Sequence, residues 1–242
     1  MLCLLALAGF SVHAAEVRVA VAANFTAPMH KLAALFEQAS GHKALLAFGS
    51  TGKFYAQIRN GAPFQLLLAA DEQTPAKLES EGLAVAGTRF TYAVGKLVLW
   101  SAQPALVEAQ GAVLRTGSFR RLALADPKLA PYGVAAVETL TRMGLLAPLT
   151  PRLVYGESIA QAYQFVASGN AELGFVALSQ VYADGRIGSG SGWIVPSDLH
   201  APIRQDAVLL RSGEQQEAAR ALLAFLRSDA ALAVIRSFGY GH

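Results

Sequence analysis

Four short segments carry the residues best placed to do chemistry: Ala22-Ala23-Asn24, Gly49-Ser50-Thr51-Gly52, Ala130-Pro131-Tyr132-Gly133 and Gly156-Glu157-Ser158-Ile159. Each runs into a predicted helix, is rich in backbone N–H or hydroxyl donors, and contains no Arg, His or Cys. A helix start presents unpaired N–H groups and the positive end of a dipole, so it holds an anion without a cationic side chain. Four such starts converging make a cage of donors. That cage suits a small, fully ionised tetrahedral oxyanion, which accepts hydrogen bonds and donates none.

Taken singly, each segment has an ordinary explanation. A lone Asn ahead of a helix, as Asn24 is, serves by default as a cap. Ser50-Thr51-Gly52 fits a turn and cap, and it lacks the spacing of a Walker-type loop. Tyr132, between Pro131 and Gly133, displays either its phenol or its peptide N–H, or packs as a hydrophobic staple. Lys53 reads as solvated. Glu157, whose carboxylate would repel an anion, reads as capping N–H groups or pointing to water.

The elements that must position these segments alternate along the chain. A strand over 17–21 leads through Asn24 to a helix with Met29, Leu32, Ala33 and Phe36 on one face, stopped at Gly41. A strand over 44–48 leads through Ser50 to a helix around 54–59, and 64–69 is a buried strand. Further strands are predicted over 122–125, 153–154, 173–177 and 203–210, with helices over 134–143, 159–168 and 214–238. Gly185 to Gly192 reads as an exposed loop. Such alternation predicts an α/β protein with mostly parallel sheets flanked by helices. Two β-rich passes, near 92–100 and 203–210, are placed to cross between two lobes. The first lobe would be discontinuous, 16–95 plus 205–242, and the second would be 96–204. The donor segments split two and two across that division, which puts the ligand in the interlobe cleft.

Composition narrows the classes. With 53% hydrophobic and 15% charged residues in 242, the chain is compact rather than disordered. Residues 1–15, MLCLLALAGFSVHAA, form an apolar run ending in small residues, a secretory leader cleaved near Ala14 or Ala15, although no Lys or Arg precedes the run. The one cysteine, Cys3, lies within it, so the mature chain has no disulfide, thiol catalysis or cysteine metal site. A net charge of +3 with scattered Lys and Arg argues against nucleic acid. His13, His30, His42, His200 and His242 show no metal-ligand spacing, and no G-x-S-x-G elbow follows a strand. Asp71 and Asp126 are strand-end carboxylates of the capping kind.

The segments AANFTAPM, GSTGKFYAQIRNGAPF, ADEQTPAKL, RFTYAVGKLVLWSA, ADPKLAPYG, ESIAQA and ELGFVALSQV occur in that order between about residue 16 and 240. Together they resemble the periplasmic molybdate-binding proteins of ABC importers, the ModA type. The resemblance implies a two-lobed type II periplasmic binding protein fold that closes over molybdate or tungstate. By motif position the oxyanion contacts fall on Asn24 (Ser in many members) with Ala23 adjacent, on Thr51 with Ser50 adjacent, on Tyr132, and on the peptide of Ile159. One departure is Ala177, where many members carry Tyr; a subgroup with this combination takes its phenol from Tyr132. No enzyme activity, cofactor or side-chain metal ligand is implied. The expected partner is a membrane ABC permease, and the expected state a periplasmic monomer.

Competing readings are a receptor for another oxyanion such as sulfate, or the effector domain of a regulator. The second needs a DNA-binding helix pair, which the short N-terminal segment cannot hold. A carboxylate or amino-acid receptor would want an Arg clamp, absent from the donor segments.

Overall fold

The computed structural model describes residues 14–117 and 119–241. The predicted leader therefore lies outside the described residues except for Ala14 and Ala15, and Cys3, His13 and His242 lie outside them too.

The chain runs β1 (Glu16–Ala22), α1 (Thr26–Ser40), β2 (Lys43–Gly49), α2 (Thr51–Arg59), β3 (Leu66–Leu68), α3 (Gln73–Ser80) and β4 (Phe90–Gly95). After Lys96 come β5 (Leu97–Ser101), α4 (Val113–Thr116), β6 (Leu122–Ala125), α5 (Pro131–Arg142), α6 (Leu146–Leu149), β7 (Leu153–Gly156), α7 (Ile159–Ala167), β8 (Leu173–Ala177) and α8 (Leu178–Val181). Short strands β9 (Tyr182–Ala183), β10 (Arg186–Ile187) and β11 (Ser191–Ile194) precede β12 (Ile203–Leu209), α9 (Glu217–Phe225) and α10 (Asp229–Ser237).

β1 shows why a strand forms there. Val17, Val19 and Val21 point into a core shared with Met29, Leu32 and Phe36 of α1, while Ala20 packs on the opposite face with Phe54 and Ile58 of α2. From Val19 on, both faces are covered and the strand is apolar on alternate and intervening positions alike, whereas Glu16 and Arg18 at its start are exposed. α1 ends where Gly41 takes φ 72°, and its N–H returns to Glu37 O. A left-handed residue there satisfies the last helical carbonyls without Cβ strain.

The strands make two five-stranded sheets, ordered β2-β1-β3-β12-β4 and β7-β6-β8-β5-β11. Read this way, the orders coincide: second strand, first, third, then a crossing strand and an edge strand. The mostly parallel sheets expected from sequence are instead mixed. In the first, β2-β1 and β1-β3 are parallel, while β3-β12 and β12-β4 are antiparallel. In the second, β7-β6 and β6-β8 are parallel, while β8-β5 and β5-β11 are antiparallel. The cause is the crossing: β5 and β12 arrive from the other sheet, not through a helix of their own, so they enter against the βαβ direction. The segment 185–192 is not wholly loop either. β10 pairs with β9, and β11 lies on β5, where β5 supplies backbone partners that a Gly/Ser composition cannot advertise.

Candidate functional site

The topology places four loops at one locus. Two follow the first and second strands of one sheet (β1, β2) and two follow the equivalent strands of the other (β6, β7). In α/β sheets these carboxyl ends are where ligands bind, because the following helices all start there. One cavity between the sheets is lined by Ala22, Ala23, Asn24, Gly49, Ser50, Thr51, Ala70, Ala130, Pro131, Tyr132, Ser158 and Ile159. All the residues expected to contact an oxyanion are therefore together, and no charged side chain lines the space. Asn24, Ser50, Thr51, Tyr132 and Ile159 are each at most 4% exposed. A larger cavity of about 400 Å³ adjoins it, but Asp71, Glu72 and Glu138 line that one beside Lys128 and Arg204. Three carboxylates make it a poor host for an anion.

Hydrogen-bond accounting separates the roles. Ser50 holds the N-cap position of α2 at φ −78°, ψ 146°, yet its side chain makes no cap bond. Its Oγ is the one buried side-chain polar atom without a partner among the described residues. A Ser at this position ordinarily accepts from a first-turn N–H, so here the hydroxyl remains for something else, although the Gly52 N–H of that turn is already taken by Leu129 O. Thr51 Oγ1 accepts the Ala70 N–H at 3.0 Å, which leaves its hydroxyl proton to donate. Ala130, the N-cap of α5, has no side chain to cap with, and Pro131 follows it. Of the four starts at this locus only that of α7 is capped, by Ser158 Oγ accepting from the Gln161 N–H at 3.3 Å. Buried helix starts with uncapped amides call for an anionic partner. Four starts at roughly half an elementary charge each present about two positive charges in total.

Asn24 does not act as a cap. Its Nδ2 donates to Gln205 Oε1 (2.8 Å) and to Tyr240 Oη (2.9 Å), using both protons. Its backbone carbonyl accepts from Ser179 Oγ (2.8 Å) and Tyr240 Oη (2.9 Å). What Asn24 offers the cavity is thus its peptide N–H. The phenol of Tyr132 is likewise committed behind the cavity. Its oxygen accepts from Gln205 Nε2 (3.0 Å), and it lies over Gly95, where an added Cβ would stand 2.1 Å from it. Its donor toward the cavity is its own N–H, in the first turn of α5. Burial pushes the phenols of Tyr92 and Tyr132 well above the usual range and that of Tyr240 up to about 12. All three stay neutral at physiological pH, adding no negative charge beside an anion site.

Three residues of this network, Ser179, Gln205 and Tyr240, escaped the sequence reading. The available signal was Gln205-Asp206 inside an otherwise apolar crossing strand, a polar pair that burial must satisfy. Asp206 is met by Arg89 (2.7 Å) and Thr91 (2.7 Å), and Gln205 by the network. Lys53 and Glu157 are solvent-exposed, as read, and folding adds a pairing between them. Neither lines the cavity, and their charges offset each other outside it. Nearby, the Gly52 N–H donates across the cleft to Leu129 O at 3.0 Å.

Two mixed α/β lobes with uncharged donors gathered in the cleft define the class: a solute receptor with its site between the lobes. The chain belongs to the bacterial extracellular solute-binding protein family, which it matches over residues 17–241, and within it to the ModA proteins. It is 61% identical to the molybdate-binding protein ModA of Azotobacter vinelandii over 94% of this chain and 90% of that one. Identity to ModA of Rhodobacter capsulatus is 55%, over 94% and 88%. The structure superposes on the Azotobacter vinelandii periplasmic molybdate-binding protein with a TM-score of 0.91 at 43% identity, covering 94% of this chain and 99% of that one. Such membership makes it a binding protein rather than an enzyme. No helix among the described residues is long and apolar enough to cross a membrane.

Proposed function

We propose that this protein captures molybdate or tungstate in the periplasm and delivers it to a membrane ABC permease. The observation that carries the reading is Ser50 Oγ, a buried hydroxyl left without a partner among uncapped, uncharged helix starts. The contacts would be the Ser50 and Thr51 hydroxyls with the peptide N–H groups near Asn24, Tyr132 and Ile159, and Ala23 beside the first. A donor-only cage suits a dianion with four acceptor oxygens. It disfavours hydrogen phosphate, which must donate a proton, because the cage offers that proton no acceptor. Discrimination against sulfate would rest on the size of the cage. In this reading residues 1–15 are the export leader, 16–95 with 205–242 and 96–204 are the two closing lobes, and the mature protein works as a monomer. The relatives named for molybdate binding support the ligand class.

A thermal titration tests it. A ligand at about 100 times its Kd adds about 2.7 kcal/mol to the native state, which for a chain of this size raises Tm by about 5–10 °C. Molybdate and tungstate are expected to do so, and sulfate and phosphate at equal concentration to do little. If sulfate stabilises as well as molybdate, the assignment falls.

A further inference from the structure

We infer that Gln205 is a positioning residue: from a crossing strand it holds one ligand-facing loop of each lobe, and so sets how tightly the closed cage grips its anion. The inference rests on the oxyanion reading of the cavity and deepens it.

Gln205 is fully buried on β12, the strand that brings the chain back from the second lobe to the first. Its Oε1 accepts from Asn24 Nδ2 at 2.8 Å, and its Nε2 donates to Tyr132 Oη at 3.0 Å. Asn24 lies within the short 3-10 turn Ala23–Phe25 after β1, and Tyr132 sits in the first turn of α5 after β6. One amide thus ties the first donor loop of each sheet to the same crossing point. Tyr92 Oη lies 3.1 Å from the same Oε1. Gly95, at the other crossing, leaves the room: a Cβ there would come within 2.6 Å of Gln205 Nε2. Neither bond points at the ligand. Both fix residues that line the cavity, and a shift of those loops would misalign donors that work only at hydrogen-bond distance. An amide is suited to this because it donates on one side and accepts on the other.

The test is calorimetric titration with molybdate of the wild type, Gln205→Met, Tyr132→Phe, the double variant and Gln205→Glu, each also melted without ligand. Gln205→Met keeps volume and removes both bonds; it is expected to raise Kd at least tenfold. Tyr132→Phe removes the shared partner, so the double variant should bind within about twofold of the weaker single one. Gln205→Glu supplies a readout that a purely structural role would not move. Its buried carboxyl, when protonated, presents one donor and one acceptor as the amide does. Ionised, it only accepts, and it places a negative charge beside a dianion. Its affinity is expected to fall several-fold from pH 6.5 to 8.5, while wild-type affinity changes less than twofold. Should Gln205→Met fail to fold, the Tyr132→Phe and Gln205→Glu results decide. Wild-type affinity in the Gln205 variants with only Tm lowered, independent effects in the double, or a wild-type pH profile for Gln205→Glu overturns the inference alone. A wild type that binds neither molybdate nor tungstate overturns the function, and this inference with it.

Discussion

Replacing Ser50 with Ala separates ligand chemistry from fold stability, because the two are expected to move in opposite directions. The hydroxyl is buried, its residue 4% exposed, and it bonds nothing in the protein. A hydrogen bond to a charged group contributes about 1.5–3 kcal/mol, so losing the contact to a dianion should weaken molybdate binding about 10- to 150-fold. In the ligand-free protein the same hydroxyl is a buried polar group without a partner, a state that costs about 1–3 kcal/mol. Its removal should therefore leave the ligand-free melting point unchanged or raise it by about 2–4 °C for each kcal/mol relieved. Isothermal titration gives the first quantity and differential scanning calorimetry the second. Affinity within twofold of wild type, or a ligand-free protein clearly less stable than wild type, would show that Ser50 is an ordinary cap and refute the reasoning.

Thr51→Val should instead lower both quantities, since it also strips the Ala70 N–H of its acceptor; the orphaned amide costs about 1–3 kcal/mol, read as a lower ligand-free Tm together with a weaker Kd. Glu157→Gln breaks the pair with Lys53 across the cleft mouth; an exposed pair is worth at most about 1 kcal/mol, so Kd should rise no more than about fivefold, with the difference vanishing near 1 M salt, as screening requires. Alkaline unfolding should be steep. Unfolded phenols lose their protons near pH 10 while Tyr92, Tyr132 and Tyr240 in the fold keep theirs to higher pH, Tyr240 to about 12. The unfolded chain then binds fewer protons, and stability falls as pH rises above 10, by about 4 kcal/mol per pH unit with three such groups. Urea midpoints measured from pH 9 to 11 check this, and a flat profile would contradict it.

Much of the architecture was legible because hydrophobic period and punctuation report local structure directly. The strand over 17–21 and the stop at Gly41 were both written in residue types. Strand direction was not, since it depends on which sheet a segment joins. β11 shows the same limit: Gly and Ser conceal a strand whose pairing partner, β5, lies some ninety residues away in sequence. Lys53 and Glu157 are exposed, as local rules suggest, but their pairing joins residues 104 positions apart, which no local rule reports.

Sequence alone determined the kind of site: donor-rich, uncharged segments at helix starts, whose chemistry follows from the peptide group and needs no tertiary information. Tertiary structure decided which atoms are available. Within the second loop, sequence favoured the Thr51 hydroxyl, yet folding hands Thr51 an amide to satisfy and leaves Ser50 Oγ free. Asn24 and Tyr132 kept their places in the cage while their side chains were drawn into a buried network with Gln205, Ser179 and Tyr240. The physical reason is that a polar group in a dry interior must find a partner, and which partner it finds depends on contacts between residues up to 216 positions apart.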